Sequence, residues 1–223
     1  KSTLWREATY ALPLMAGPEI AVASTKAYIA QVTLQAILAY ALSDRIDLDL
    51  EQELSKIAVD IQAIVDDKAV FEKVANELLV PAHSAFYIGR GADADVSLEA
   101  ALKLKEISYV QAEGFPAGEL KHGTLALIED GTPVIALLTQ PKTAGLVRGN
   151  IAETQARGAN AYTITTKALA EPGDTGYVLP DVDPLLAPLL SVVPTQLLAY
   201  YTSLGRGLDV DHPRNLAKSV TVQ

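Results

Sequence analysis

The chain has 223 residues, 49% of them hydrophobic but only 6% aromatic, enough for one large or two small domains packed through Ala, Leu, Ile and Val rather than large rings. Against 18 Lys and Arg stand 27 Asp and Glu, and the formal net charge of -9 argues against nucleic acid or an anionic membrane as main partner. With no cysteine, disulfides, thiolate catalysis and cysteine zinc sites are excluded; His83, His122 and His212 lack metal-motif spacing, so neither a metal nor a cofactor is expected.

In chain order, 10–17 reads as an apolar loop, and Gly17-Pro18 punctuates the chain before a helix predicted over about 24–42, with Ser24 or Thr25 as its cap. Leu54, Ile57, Ala58, Ile61, Ile64 and Val65 recur at helical spacing. Val70, Val74, Leu78 and Leu79 follow a break at Asp66-Asp67, so two amphipathic helices are predicted. AFYIG, ending at Gly89 and bounded by Arg90-Gly91, predicts a buried strand entering a turn and a helix.

PVIALL at 133–138 and AYTITT at 161–166 predict further strands around a helix over about 143–157, and YVLP at 177–180 a short fourth. A long apolar helix is predicted over about 184–204, stopping near Gly205 and Gly207. Strands alternating with helices imply a parallel sheet covered on both faces, with ligands outside the carboxyl ends of the strands. Arg90-Gly91 and a loop over 111–123 are expected there. Gly89-Arg90-Gly91 lacks the third glycine of a dinucleotide fingerprint and has no P-loop lysine, which argues against a nucleotide site. Nothing reads as a signal peptide or membrane span, so a cytoplasmic protein is expected, and the missing initial Met points to a fragment or processed chain.

The segment ALKLKEISYVQAEGFPAGELKHG, 101–123, crowds Lys103, Lys105, Glu106, Glu113, Glu119, Lys121 and His122 together. At helical spacing Lys103 and Glu106 share one face, an acid and a base suited to proton transfer, opposite a stripe of Leu98, Ala101, Leu104 and Ile107. Periodicity alone reads such a pair as a solvated surface salt bridge.

Five stretches together change that reading: GPEIAVASTKAYIAQ at 17–31, GRG at 89–91, ALKLKEISY at 101–109, AGELKHG at 117–123 and PRNLAKSVTV at 213–222. In this combination the chain resembles the isomerase half of the glutamine:fructose-6-phosphate amidotransferases. The resemblance implies an α/β fold of flavodoxin-like type, a parallel sheet sandwiched by helices and known as the sugar-isomerase or SIS fold. It also implies the end of a first subdomain over 1–50, a complete second subdomain over 51–208 and a catalytic tail over 209–223. The family's Ser/Thr-rich phosphate loop is expected upstream of Lys1, and the glutaminase domain with its nucleophilic cysteine is likewise absent here.

By the same resemblance, Glu106 moves a proton between C1 and C2 of the open-chain sugar, and Lys218 forms a Schiff base with its carbonyl. His122 opens the sugar ring of a neighbouring subunit in a homodimer, and Lys103 holds Glu106 ionised or positions the substrate. Val22 and Ala217 line the sugar site through backbone groups. Ser24 is a sugar ligand or a helix cap; His83 and His212 are surface residues. Ala21 stands where the family often has Gly. The expected activity is conversion of fructose 6-phosphate, with ammonia derived from glutamine, to glucosamine 6-phosphate. A fructosamine-phosphate deglycase and a non-catalytic sugar-phosphate-binding module are the alternatives, and the fragment alone is expected to be inactive.

Overall fold

Five parallel strands carry the fold: β1 (Ser84–Gly89), β2 (Gln111–Pro116), β3 (Pro133–Leu138), β4 (Asn160–Thr166) and β5 (Gly176–Leu179). Their order is β2-β1-β3-β4-β5, the doubly wound order of flavodoxin-like sheets. The structure, a computed structural model, describes residues 2–44 and 47–218.

The central strands are apolar throughout because helices cover both faces. Alternate residues diverge: Tyr87, Ile135 and Leu137 join one core with Phe71, Leu79, Leu104, Leu190 and Leu198, while Phe86, Ile88, Val134 and Leu138 join another with Leu120, Val147 and Ile151. The first face is covered by α5 (Ala92–Ser108), α7 (Ala187–Gly205) and the helical stretch around α4 (Lys68–Val74). The second is covered by α6 (Ala144–Gln155) and the short 3-10 turn Ala117–His122.

Upstream lie α1 (Thr3–Glu7), α2 (Lys26–Ala41) and α3 (Leu50–Asp66), and the predicted break falls at Asp67, the cap shared by α3 and α4. Ile57 and Ile64 are buried as the periodicity requires, but Ala58 and Val65 of the same predicted stripe are exposed. Leu98 is corrected in the same way: at 54% exposure it lies outside the buried stripe of α5, whereas Ala101, Leu104 and Ile107 lie within it.

The expected loop over 111–123 is half wrong. QAEGFP pairs residue for residue with β1 as an edge strand, Ser84 against Gln111 through Gly89 against Pro116. An edge tolerates Pro116, and Gly114 is there because α5 lies against it: a Cβ would sit 2.1 Å from the Ser97 carbonyl oxygen. At the other end of β1, Gly91 has φ +59, the left-handed turn that sends the chain into α5. The buried carboxylate of Asp93, in the first turn of α5, then accepts hydrogen bonds from the backbone N–H and hydroxyl of Thr139, just past the carboxyl end of β3. Burial pushes the Asp93 carboxyl up despite those bonds.

Candidate active site

The chemistry gathers on α5 at the face turned toward α7 and the N-terminal segment. Lys103 is buried, with a side chain 6% exposed, and its ammonium lies 2.7 Å from Glu106 Oε2 and 3.6 Å from Glu99 Oε1. One helical face thus carries carboxylate, ammonium and carboxylate at positions 99, 103 and 106. Glu106, at 23%, keeps a path to solvent. Burial raises the Glu99 carboxyl above the ordinary carboxylate value, with Lys103 opposing the rise and Glu106 adding to it.

Lys103 and Ile107 line a cavity of about 130 Å³ together with Ala21, Ala23 and Thr25, Gln196, Ala199 and Tyr200 of α7, and Val210 and Asp211 beyond it. The buried amide nitrogen of Gln196 has no hydrogen-bond partner among the described residues. Residues 21–25 and the tail are stitched together: Val22 N–H donates to the Asp211 carbonyl at 3.1 Å, and Lys218 Nζ donates to the Val22 carbonyl at 3.3 Å and the Ser24 hydroxyl at 3.0 Å. Lys218 also meets Glu19 Oε2 at 3.4 Å.

Ser24 is therefore a partner of Lys218 rather than a helix cap. The N-cap of α2 is Thr25, which makes no side-chain cap bond; its backbone N–H is taken by Glu19 at 2.6 Å. Burial pushes the Glu19 carboxyl up, but the Thr25 N–H, the Lys218 charge and the Ser24 hydroxyl outweigh it and hold the group below its ordinary value. Ala21 is not in a positive-φ conformation, so a side chain there costs no backbone strain.

Of the expected site residues, Lys103 and Glu106 form one cluster and Val22, Ser24 and Lys218 a second, with the cavity wall between them. Ala217 is exposed beside Lys218. The last residues of PRNLAKSVTV, 219–222, lie outside the described residues. His122 stands elsewhere. It ends the 3-10 turn after β2, its side chain is 74% exposed, and Nδ1 is 2.8 Å from Glu119 Oε2. That turn covers the sheet face opposite α5, and it follows the carboxyl end of β2 whereas Glu106 lies one turn from the amino end. A six-residue strand spans about 20 Å, so His122 and Glu106 of one chain are separated by both the height and the thickness of the sheet. His83 and His212 are exposed, as expected.

Two carboxylates escaped sequence reasoning. Glu99 stands four residues before Lys103, a legible i,i+4 signal. Glu19 is the sole carboxylate in the 17–31 stretch, and only the fold brings it to Lys218.

A family model described as the SIS domain matches residues 78–205. Over its whole length the chain is 64% identical to a glutamine–fructose-6-phosphate aminotransferase (isomerizing) of Lactiplantibacillus plantarum and 58% identical to that of Bacillus licheniformis. It spans 38% of each relative's length. Among solved structures, the C-terminal domain of glucosamine-fructose-6-phosphate aminotransferase from Francisella tularensis superposes with a TM-score of 0.83 at 32% identity, over 93% of this chain and 61% of that one. None of the helices among the described residues is long and apolar enough to cross a membrane. The family match covers the whole five-stranded sheet with α5 and α7, and the chain belongs to the SIS domain family.

Proposed function

We propose that this chain is the isomerase portion of an enzyme that converts fructose 6-phosphate and ammonia to glucosamine 6-phosphate. The observation that carries the reading is the buried Lys103 ammonium 2.7 Å from a Glu106 carboxylate that still reaches solvent, beside a cavity walled by the segment that holds Lys218.

In this reading Lys218 Nζ, released from Glu19 and Ser24 and deprotonated, attacks the carbonyl carbon C2 of the open-chain sugar. Water leaves, and an iminium forms. Ammonia adds to C2 of that iminium and Lys218 leaves as the free amine, so the new nitrogen stays on C2 as an imine. Glu106 then takes a proton from C1 while the imine nitrogen gains one, and return of the proton at C2, with loss of the C1 hydroxyl proton, leaves the aldehyde of the 2-amino sugar. Lys103 sets its ammonium against the Glu106 carboxylate that accepts the proton, or positions the substrate, and the carbonyl of Val22 and the backbone at Ala217 face the sugar.

A cavity of about 130 Å³ is too small for a whole sugar phosphate, since ligand sites usually run to about 300 Å³ or more. It suits the reacting carbons, with the phosphate gripped by residues outside this chain. Residues 1–50 fit the end of a first subdomain, with 51–208 as the second and 209–223 as the tail. α2 supports this division: it is largely apolar yet has no buried residue, and Ile37 and Leu38 stand exposed, as expected of a helix that belongs inside a larger body. The separation of His122 from Glu106 within one chain supports a homodimer in which His122 opens the ring at the partner's site. The nitrogen would come from a glutaminase domain outside this chain, in the cytoplasm.

The test is an assay of the full-length protein for ammonia-dependent hexosamine phosphate formation and for fructose 6-phosphate to glucose 6-phosphate conversion. Release of an amine from a sugar adduct, with no such conversion, would support a deglycase instead.

A further inference from the structure

We propose that Tyr109 is a positioning residue that holds the tail so that Lys218 meets the sugar carbonyl; the inference rests on Lys218 being the imine-forming lysine. Tyr109 caps α5 with φ +61, in the left-handed region where Gly or Asn is the ordinary choice. A bulky residue persists in such a conformation when the surroundings require its side chain. Here both halves of that side chain are used by the tail. The phenol oxygen accepts the backbone N–H of Arg214 at 2.8 Å, and the Arg214 guanidinium lies 4.1 Å from the ring centroid.

The tail is thereby pinned at three successive points: the Asp211 carbonyl on Val22 N–H, the buried ring of Pro213, and Arg214 on Tyr109. Beyond the last pin the chain turns through Asn215, with φ 62, and residues 215–217 are exposed before Lys218 returns to Val22 and Ser24. Lys218 is four residue steps beyond Arg214, a reach of about 14 Å at most, whereas tethering at Asp211 alone would allow about 25 Å. Tyr109 thus fixes the swing of the lysine from the very helix that presents Glu106. The two reacting groups of the proposed chemistry share one rigid mount.

The experiment uses the full-length protein with Tyr109→Leu, Tyr109→Phe and Arg214→Gln, measuring kcat and KM for fructose 6-phosphate isomerisation and the rate at which cyanoborohydride attaches the sugar to Lys218, located by mass spectrometry. Tyr109→Leu is expected to slow both kcat and Lys218 labelling about ten- to hundredfold, because misplacing a reacting group costs orientation. KM should change by much less than kcat, about threefold, since of the proposed sugar contacts only the Ala217 backbone moves with the tail. Tyr109→Phe, keeping the ring, should lose only a fewfold in each, and the double variant Tyr109→Leu, Arg214→Gln should be no slower than the slower single variant. Arg214→Gln changes an exposed side chain, so it decides the matter even if Tyr109→Leu folds poorly. Unchanged labelling and kcat in Arg214→Gln and Tyr109→Phe, or losses that multiply in the double variant, would overturn the role of Tyr109. Labelling of the unsubstituted protein at another lysine would instead overturn the assignment of Lys218 on which it rests.

Discussion

The ammonium of Lys103 lies 2.7 Å from the carboxylate of Glu106 and is almost sealed from solvent, while Glu106 is not. A buried lysine between two glutamates is not a surface ornament. Among the described residues its charge is compensated by Glu99 and Glu106, so the three positions act as one electrostatic unit. Burial and the cavity beside it separate this arrangement from an ordinary solvated i,i+3 pair.

Glu106→Gln in the full-length protein should lower isomerisation by about 10²–10⁴-fold, the usual contribution of a general acid-base group. Binding of fructose 6-phosphate should be nearly unchanged because the shape is kept. Steady-state kinetics beside calorimetric binding checks both, and a variant that keeps most of its turnover would remove Glu106 from the mechanism.

Lys103→Met should destabilise the fold by about 2 kcal/mol at neutral pH, less than a fully buried pair would lose because Glu99 and Glu106 retain some water. Adding Glu99→Gln should recover part of the loss, since the variant no longer sets two carboxylates against each other. Urea denaturation of the two variants measures it; a double variant less stable than Lys103→Met contradicts the unit.

Glu19 links pH to the junction between the N-terminal segment and the tail. Its folded value is depressed below the ordinary 4.5, so its stabilisation is present above that value and is lost as pH falls through the lower folded one. The Tm difference between the parent and Glu19→Gln should therefore be largest near pH 6–7 and shrink below about pH 4. A difference that does not vary with pH would show that the Lys218 and Thr25 contacts do not hold Glu19 in its charged form.

Gly114→Ala should cost about 3 kcal/mol or more, because a methyl group there meets the backbone of α5 rather than a side chain that could yield. Thermal unfolding should drop accordingly. Tolerance of alanine would mean that α5 does not lie against β2 as closely as the structure has it.

Four of the five strands were legible in the sequence, three of them largely buried on both faces and the fourth, YVLP, a short strand that overlaps β5 although most of β5 is not buried. SAFYIG, PVIALL and NAYTITT are largely apolar or β-branched runs because helices shield most of both their sides from water. QAEGFP was not legible as a strand: its glycine answers to a helix packed across it and its proline to an edge, both matters of tertiary placement. The same limit applies to Lys103, which periodicity set on the solvent side of α5. It is buried because α7 and residues 21–25 close over that side, a nonlocal event. Lys218, Ser24 and Val22 came from motif resemblance, and the structure adds the bonds among them and the carboxylate of Glu19.

Mixing two inactive variants tests whether Glu106 of one chain works with His122 of another. Full-length Glu106→Gln and His122→Asn proteins, each inactive alone, are dissociated together, allowed to reassort, and assayed for fructose 6-phosphate to glucose 6-phosphate conversion. Half of the reassorted two-fold dimers are hybrids, each with one site holding intact Glu106 and the partner's intact His122, so about a quarter of the unsubstituted activity should return. Activity no greater than the sum of the two inactive proteins would contradict the claim.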